Sequence, residues 1–274
     1  VLTGISALQD GLSHCIKTGG GTIIKQGFKQ LFEFDILEQR NHFSTIHSLK
    51  LILKSKVVSN NYKFACILSD RHSRSLKYLE TLALGWPTLH WKFIEACITH
   101  NEIHPTLIYQ YLLPSGVSFR LGSALENEKP PVLSNDIFEF YSNFIQDTTI
   151  QKQIEIRQNV LENYTIILCG KLELDNMLKF CFAALGVSRL IHTCNINDLI
   201  KKKTAFIDKI IYKDDPDINK VIFFINEKEK EVISSLKKIK RIFHEKYEKP
   251  TIEYHIETKE WLIQTLINRT SGFS

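Results

Sequence analysis

Two cations open the most informative stretch of the chain, RSLKYLETLALGWPTLHWKFIEAC at residues 74–97. Arg74 and Lys77 are three positions apart, which places them on one face if the segment is helical. The leucine spacing that follows predicts a helix over 74–84, with Gly85 as its stop. Cations at a helix N-terminus oppose the macrodipole unless an anion binds there, where free N–H groups also converge. The spacing is compatible with an anion site and with a solvated basic face.

A second candidate anion contact follows the first apolar strand, VLTGI. In a parallel sheet the carboxyl ends of the strands line the ligand crevice. Thr3 can donate its hydroxyl and Gly4 its backbone N–H to a phosphate, and glycine permits a close approach. The pair is therefore a candidate phosphate contact, and an ordinary strand-to-helix turn is the alternative.

No recognisable catalytic or metal-binding pattern is present in the sequence. The run KTGGGT at 17–22 lacks the spacing of a P-loop or of a dinucleotide fold and predicts a helix-ending turn. The six cysteines are scattered singly among apolar neighbours, which favours reduced, buried thiols. No Ser-His-Asp arrangement, histidine pair or carboxylate pair has a supporting frame. We expect no enzyme activity, no cofactor and no metal.

The composition is that of a globular protein with a mild excess of positive charge. The 274 residues are 43% hydrophobic and carry a formal net charge of +5, which permits an acidic partner such as a phosphopeptide, DNA or an anionic surface. Basic runs at Lys201–Lys203 and 228–248 are typical of solvated helix faces, with a DNA-binding patch as the alternative. No apolar run approaches the roughly 20 residues of a membrane span. The chain starts at Val1 and its single methionine is Met177, so we expect it to be part of a longer protein.

Strand and helix patterns occur twice along the chain in the same order. Residues 1–103 predict strands at VLTGI, TIIKQ, KFACILSD and PTLH, interrupted by an irregular insertion at about 33–60. Residues 163–274 predict strands at YTIILCG, RLIHTC, KVIFFINE and TIEYHI. The intervening residues 104–162 predict a partly helical linker, aromatic enough to pack between the two repeats. The order β-α-β-β-α-β-α predicts an α/β protein with small parallel sheets and helices on both faces.

Both halves end in a helix that carries an aromatic and a small residue one turn apart, Phe93-x-x-x-Cys97 and Trp261-x-x-x-Thr265. The aromatic side chain can fill the core while the small residue permits close packing. This repeated unit resembles the BRCT fold, here as a tandem pair. The resemblance implies two BRCT repeats, each a small four-stranded parallel sheet flanked by helices. Phe93 stands where the family usually has tryptophan, and it can fill the same core position.

The segments RSLKYLETLALGWPTLHWKFIEACI, LIYQYLLPSG, SFRLGS and KEWLIQTLIN resemble, more narrowly, the C-terminal region of the fungal DNA-damage checkpoint mediators. Family members that bind phosphopeptides carry Arg-x-x-Lys at the start of the second helix and Ser/Thr-Gly after the first strand. The resemblance implies that Lys77, Thr3 and Gly4 bind a phosphoserine phosphate. It implies that Arg74 contacts the peptide three residues further on, at its backbone or terminal carboxylate. The far wall of the groove would come from the second repeat, at Lys171, Leu172 and Leu174.

The same resemblance implies a function in the nucleus, on chromatin at damage sites. The expected ligand is the phosphorylated C-terminal tail of a core histone, followed by phosphorylated SQ/TQ motifs of checkpoint proteins. Self-association as a homodimer and support of checkpoint kinase activation are also implied. Two alternatives remain open. One is a phosphate-independent interaction scaffold or dimerisation module that uses the linker surface, and the other is direct DNA binding through the basic runs.

Overall fold

The described part of the chain divides into two compact units. The computed structural model describes residues 1–40, 45–103, 105–120, 131–132, 148–157, 159–169, 175–187, 189–193, 220–225, 233–234, 237 and 253–273. The first unit consists of Val1–Glu33, Ile52–Gln158 and Ile263–Ser274, and the second of Phe34–Leu51 and Asn159–Leu262.

The strands and helices alternate along both units. The strands are β1 (Phe32–Arg40), β2 (Thr45–Leu53), β3 (Ile67–Ser69), β4 (Thr88–His90), β5 (Gly116–Val117), β6 (Pro131–Val132), β7 (Tyr164–Cys169), β8 (Arg189–Thr193), β9 (Lys220–Phe224) and β10 (Glu253–Glu257). The helices are α1 (Gln9–Thr18), α2 (Ser55–Ser59), α3 (Leu76–Leu84), α4 (Phe93–His100), α5 (Pro105–Gln110), α6 (Ile150–Ile156), α7 (Asn176–Ala184) and α8 (Lys259–Asn268). Short 3₁₀ turns occupy Ser6–Leu8 and Phe28–Leu31.

The β3–β4 sheet of the first unit is parallel, as the sequence predicts, whereas β5 and β6 form a separate antiparallel pair. Strand β3 pairs with β4, with Leu68 opposite Leu89, and Leu2 forms a parallel bridge to Leu68 on the other side. The predicted strand TIIKQ, at residues 22–26, is wrong because these residues form no strand pairing. Ile23 packs against the core by its side chain alone. Glycines on both sides of the segment, at 19–21 and 27, disfavour an extended strand there.

The core of the first unit surrounds the aromatic position predicted on α4. Phe93 is 1% exposed and packs with Leu2, Leu68 and Leu89 of the small sheet. Elsewhere in the unit, the Phe28 and Trp86 rings make an edge-to-face contact with centroids 4.7 Å apart. Both clusters bury apolar area that offsets the conformational entropy lost on folding.

Helix α3 has the boundaries that its sequence pattern predicts, to within two residues. Gly85 has φ +69°, a left-handed conformation that glycine adopts without steric cost, and its N–H donates to the Leu82 carbonyl. At the other end, Ser75 is the N-cap residue in an extended conformation, but its side chain makes no capping hydrogen bond. The first N–H groups of the helix therefore lack the serine cap that often satisfies them.

The sheet of the second unit contains the predicted parallel strands in the order β8-β7-β9-β10. The register places Ile166 of β7 between Leu190 of β8 and Ile222 of β9. All six residues of β7 are buried, because helices cover a parallel sheet on both faces. Trp261 is 7% exposed and its ring contacts Phe224 edge to face, so the second predicted aromatic core position is also confirmed.

The insertion is not irregular, as the sequence suggested, but forms the strands β1 and β2. Strand β2 pairs antiparallel with β8, with Thr45 opposite His192 and His47 opposite Leu190. The sheet of the second unit therefore has the order β1-β2-β8-β7-β9-β10. The insertion was misread because the partner strand, β8, lies more than a hundred residues away in the sequence and no local pattern reports it.

Several predictions fall on residues that the structure does not describe. They are Lys171, Leu172 and Leu174, the run Lys201–Lys203, and most of the predicted helix at 228–248. Within the described part, no helix combines the length and apolar character needed to cross a bilayer.

Candidate functional site

Lys77 and the Thr3-Gly4 pair, which the resemblance assigns to one phosphate site, lie together in the first unit. The Lys77 Nζ donates to the Leu2 carbonyl at 3.3 Å, directly before Thr3. The Thr3 backbone N–H is used by the sheet, since it donates to the Leu68 carbonyl at 3.1 Å. Among the described residues, neither the Thr3 hydroxyl nor the Gly4 N–H has a hydrogen-bond partner. These two donors and a lysine therefore converge beside the N-terminus of α3, an arrangement suited to an oxyanion.

Gly4 is required by the geometry of this corner. Its φ is +70°, and a Cβ added there would lie 2.9 Å from the Asp70 Oδ1 and 3.4 Å from the Ser69 Oγ. The Asp70 carboxylate lies 3.8 Å from the Arg71 Nε, which reduces its repulsion of an anion nearby. Any side chain at position 4 would be strained and would push against the end of β3.

The segment before α3 is ordered by serine contacts that leave Arg74 on the surface. The Ser73 Oγ donates to the Ser75 Oγ at 2.9 Å, and the Ser75 N–H donates to the Ser73 Oγ at 3.3 Å. Arg74 is exposed, whereas Lys77 is partly buried. The two cations therefore occupy different environments, with Lys77 at the strand end and Arg74 on the adjoining surface.

Arg74 lies against an aromatic ring that the sequence did not single out. The Arg74 Cζ is 5.4 Å from the centroid of the Phe119 ring, a cation–π contact, and Phe119 is 47% exposed. Helix α8 fixes the backbone of Phe119, because the Gln264 Oε1 accepts its N–H at 2.8 Å. The Ser118 Oγ donates to the Asn268 Oδ1 of the same helix at 2.7 Å. Residues of α8 therefore position Phe119, the aromatic residue in contact with Arg74.

A small cavity adjoins Arg74 in the first unit. Its volume is about 240 Å³, room for one side chain rather than for a whole small-molecule ligand. The Ser115 Oγ is buried and has no hydrogen-bond partner among the described residues. The cavity is lined by His72, Ser73, Arg74, Leu79, Ser115, Gly116, Val117 and Ile267.

The described residues contain no group of three or more side chains suited to hold a metal ion. Their five cysteines are unpaired. Burial raises the pKa of the Cys66 thiol to about 11, so this thiol stays protonated and unreactive near neutral pH. The chemistry of the site is therefore that of hydrogen-bond donors and positive charge.

Each unit contains parallel strands and a buried aromatic residue at the predicted helix position, Phe93 on α4 and Trp261 on α8, as the sequence predicts for two BRCT repeats. Over its whole length the chain is 40% identical to the DNA repair protein RAD9 of Saccharomyces cerevisiae, in an alignment of 288 residues that lies in the C-terminal part of RAD9. It is 30% identical to the DNA repair protein crb2 of Schizosaccharomyces pombe over 128 residues, 47% of the chain. The predicted similarity to fungal checkpoint adaptors is confirmed.

The chain spans only 22% of the length of RAD9, and its match covers 15% of crb2. Among solved structures, the BRCT5-BRCT6 domains of S. pombe Brc1 match with a TM-score of 0.39 and 14% identity, over 75% of this chain and 78% of that one. No family model matches the chain.

Proposed function

We propose that this chain is the phosphopeptide-binding module of a nuclear DNA-damage checkpoint adaptor and acts without catalysis. The observation that carries the proposal is the 3.3 Å contact between the Lys77 Nζ and the Leu2 carbonyl. It places a lysine beside the unpartnered donors of Thr3 and Gly4, at a helix N-terminus without a serine cap. A phosphate group offers about two negative charges and three acceptor oxygens, which match these donors.

The expected affinity is in the micromolar range. Hydrogen bonds to charged groups contribute roughly 1.5–3 kcal/mol each. Three such bonds to the phosphate, less the cost of ordering a flexible tail, give about 8 kcal/mol or less, which is a Kd near 1 μM or weaker. Binding of this strength is reversible and depends on the phosphate, as an adaptor requires.

Arg74 and its cavity extend the site along the peptide. We assign Arg74 to the backbone or terminal carboxylate three residues after the phosphoserine, and the adjoining cavity of about 240 Å³ to a side chain there. The preferred ligand is the phosphorylated C-terminal tail of a core histone at damaged chromatin. Phosphorylated SQ/TQ motifs of checkpoint proteins are the second ligand. Reading such motifs in other copies of the adaptor would support self-association and kinase activation.

The test of the phosphate site is Lys77→Met. Because Lys77 is the one charged side chain assigned to the phosphate, we expect the variant to fold normally and to bind phosphopeptide at least about tenfold more weakly. Lys56→Met, at an exposed position of α2, removes the same charge elsewhere in the unit and is the matched control. An unchanged affinity in Lys77→Met would overturn the site assignment.

Exposed apolar residues favour a second candidate function, phosphate-independent protein binding. Ile98 is 58% exposed, Ile103 is 52% exposed, and Tyr109 in the linker is 37% exposed. They belong to α4, the following turn and α5. Because these elements are consecutive in the sequence, we expect the three exposed side chains to contribute to one apolar surface. A protein partner bound there would be insensitive to Lys77→Met and would not compete with phosphopeptide. Ile98→Glu would abolish its binding.

A further inference from the structure

One buried side chain of α8 holds the backbone of residues 117–119. The Gln264 Oε1 accepts the Phe119 N–H at 2.8 Å, and the Gln264 Nε2 donates to the Val117 carbonyl at 3.2 Å. All three residues belong to the first unit, and Gln264 is 4% exposed. Its amide therefore satisfies one backbone donor and one backbone acceptor of the segment, as a paired strand would.

Asn268, one turn further along α8, fixes the orientation of the Gln264 amide. The Asn268 Nδ2 donates to the Gln264 backbone carbonyl at 2.7 Å and to the Gln264 Oε1 at 3.4 Å. The Asn268 Oδ1 accepts the Ser118 hydroxyl at 2.7 Å. An amide nitrogen can only donate and an amide oxygen can only accept, so these partners together define one orientation of the Gln264 side chain.

The same segment is attached to α8 and the residues after it at both of its ends. On one side, a Cβ added to Gly116 would lie 2.8 Å from the Ile267 Cδ1, so the backbone there already approaches α8 closely. On the other side, the Arg120 Nη1 donates to the Thr270 carbonyl at 2.6 Å and its Nη2 donates to the Thr265 Oγ1 at 3.0 Å. A shift of the segment would therefore break several contacts at once.

The place of the Phe119 ring depends on this attachment of its backbone. The ring is 47% exposed, so packing by itself fixes its position only in part. The Arg74 Cζ lies 5.4 Å from the ring centroid. Because an exposed arginine side chain has many rotamers, a fixed aromatic surface beside it limits the orientations of its guanidinium. The orientation of Arg74 is therefore linked to the side-chain amide of Gln264 through Phe119.

We propose that Gln264 is a positioning residue that makes the chain selective for phosphopeptides ending in a free carboxylate. It acts through Phe119, which holds the Arg74 guanidinium ready for the carboxylate, and it is too buried to contact a peptide itself. A guanidinium that is already oriented loses less conformational freedom when the ligand binds. The inference rests on the proposed function, and it separates the two ends of the ligand. Loss of Gln264 should weaken the carboxylate contact and leave the phosphate contacts of Lys77 intact.

The experiment compares the affinities for a phosphopeptide with a free C-terminus, its amidated twin and its unphosphorylated twin, by fluorescence anisotropy. Gln264→Met keeps the side-chain length and loses both hydrogen bonds. We expect the preference for the free carboxylate to fall by a factor of about 2–5, the worth of an exposed cation–π contact, with dependence on the phosphate retained. Adding Gln264→Met to Phe119→Leu should lower the preference no further, because both substitutions act through the same ring.

A second buried glutamine of the first unit provides the matched control. Gln153 is also 4% exposed, and its Nε2 donates to the Lys63 carbonyl at 2.9 Å. Gln153→Met should leave the carboxylate preference unchanged. Asn268→Ala breaks the same amide network at a half-buried position, should lower the preference in the same direction, and decides the test if Gln264→Met does not fold.

The outcomes separate this inference from the function on which it rests. A carboxylate preference that survives both Gln264→Met and Asn268→Ala would overturn the inference alone, as would an equal fall in Gln153→Met. A parent chain that binds none of the phosphopeptides would overturn the proposed function and the inference together.

Discussion

The Lys77 Nζ lies 3.3 Å from the Leu2 carbonyl oxygen, a contact between residues 75 positions apart in the sequence. It brings the start of α3 to the predicted strand VLTGI, of which Leu2 forms a bridge to Leu68, and these are the two places where the sequence predicts anion contacts. A lysine that donates to a backbone carbonyl can exchange that bond for a stronger one to a phosphate oxygen. In the proposed phosphate site, Lys77 and the Thr3-Gly4 turn are therefore adjacent without a bound ligand.

Gly4→Ala should damage the site through the backbone. With φ +70° and an added Cβ at 2.9 Å from the Asp70 Oδ1, alanine is strained there by about 1–2 kcal/mol. We expect a lower free energy of unfolding in chemical denaturation and weaker phosphopeptide binding. Gly11→Ala is the control, since a Cβ on that α1 glycine meets nothing within 4 Å. It should stabilise the protein by up to about 1 kcal/mol, and equal effects of the two substitutions would contradict this account of Gly4.

Arg74→Gln should remove the preference for a free peptide carboxylate. We expect the parent chain to bind a phosphopeptide with a free C-terminus more tightly than its amidated twin, and the variant to bind both alike. Phe119→Leu should reduce the preference by a factor of about 2–5, because an exposed cation–π contact contributes about 0.5–1 kcal/mol to holding Arg74. Fluorescence anisotropy with the two peptides measures the ratio. A preference that survives Arg74→Gln would place the carboxylate contact elsewhere.

The buried carboxyl of Glu80 should make the free energy of unfolding depend on pH. Burial raises the pKa of its carboxyl above the ordinary 4.5, and the N–H groups of Lys29 and Phe28 offset only part of this. The folded chain then binds more protons than the unfolded chain between 4.5 and the raised value. The stability contributed by Glu80 is therefore complete in acid and is lost as the pH rises through the folded pKa.

Denaturant unfolding of Glu80→Gln across this range checks the sign. The free energy of unfolding of the variant should rise relative to the parent as the pH increases from 4.5. Glu95→Gln removes an exposed carboxylate from α4 and is the matched control. A difference between Glu80→Gln and the parent that stays constant with pH would refute this role of burial.

Local sequence patterns predict the parts of the candidate site that lie within single elements. The helix stop at Gly85, the cations before it and the Thr3-Gly4 turn each depend on neighbouring residues. Phe119 was missed because it meets Arg74 only after the Gln264 side chain, 145 positions away, has fixed its backbone.

The pairing of strand β2 with β8 was also not predicted, because it too joins residues that are far apart in the sequence. Alternation in TIHSLKLIL indicates a strand at best, whereas the choice of partner depends on which sheet edge the folded chain presents. The parallel strands of the second unit were predictable because each is a continuous apolar run, the pattern that burial on both faces imposes. The lining of the cavity joins segments around positions 73, 116 and 267, which no spacing rule connects.

The central claim is tested most directly by calorimetric titration of this chain with a histone-tail peptide ending in phosphoserine-Gln-Glu-Leu, alongside its unphosphorylated twin. We predict micromolar binding of the phosphorylated peptide, lost in Lys77→Met, and no measurable binding of the twin. Equal affinity for both peptides, or binding of neither, would contradict the phosphopeptide-binding function and would favour the exposed surface around Ile98 and Tyr109 as the functional one.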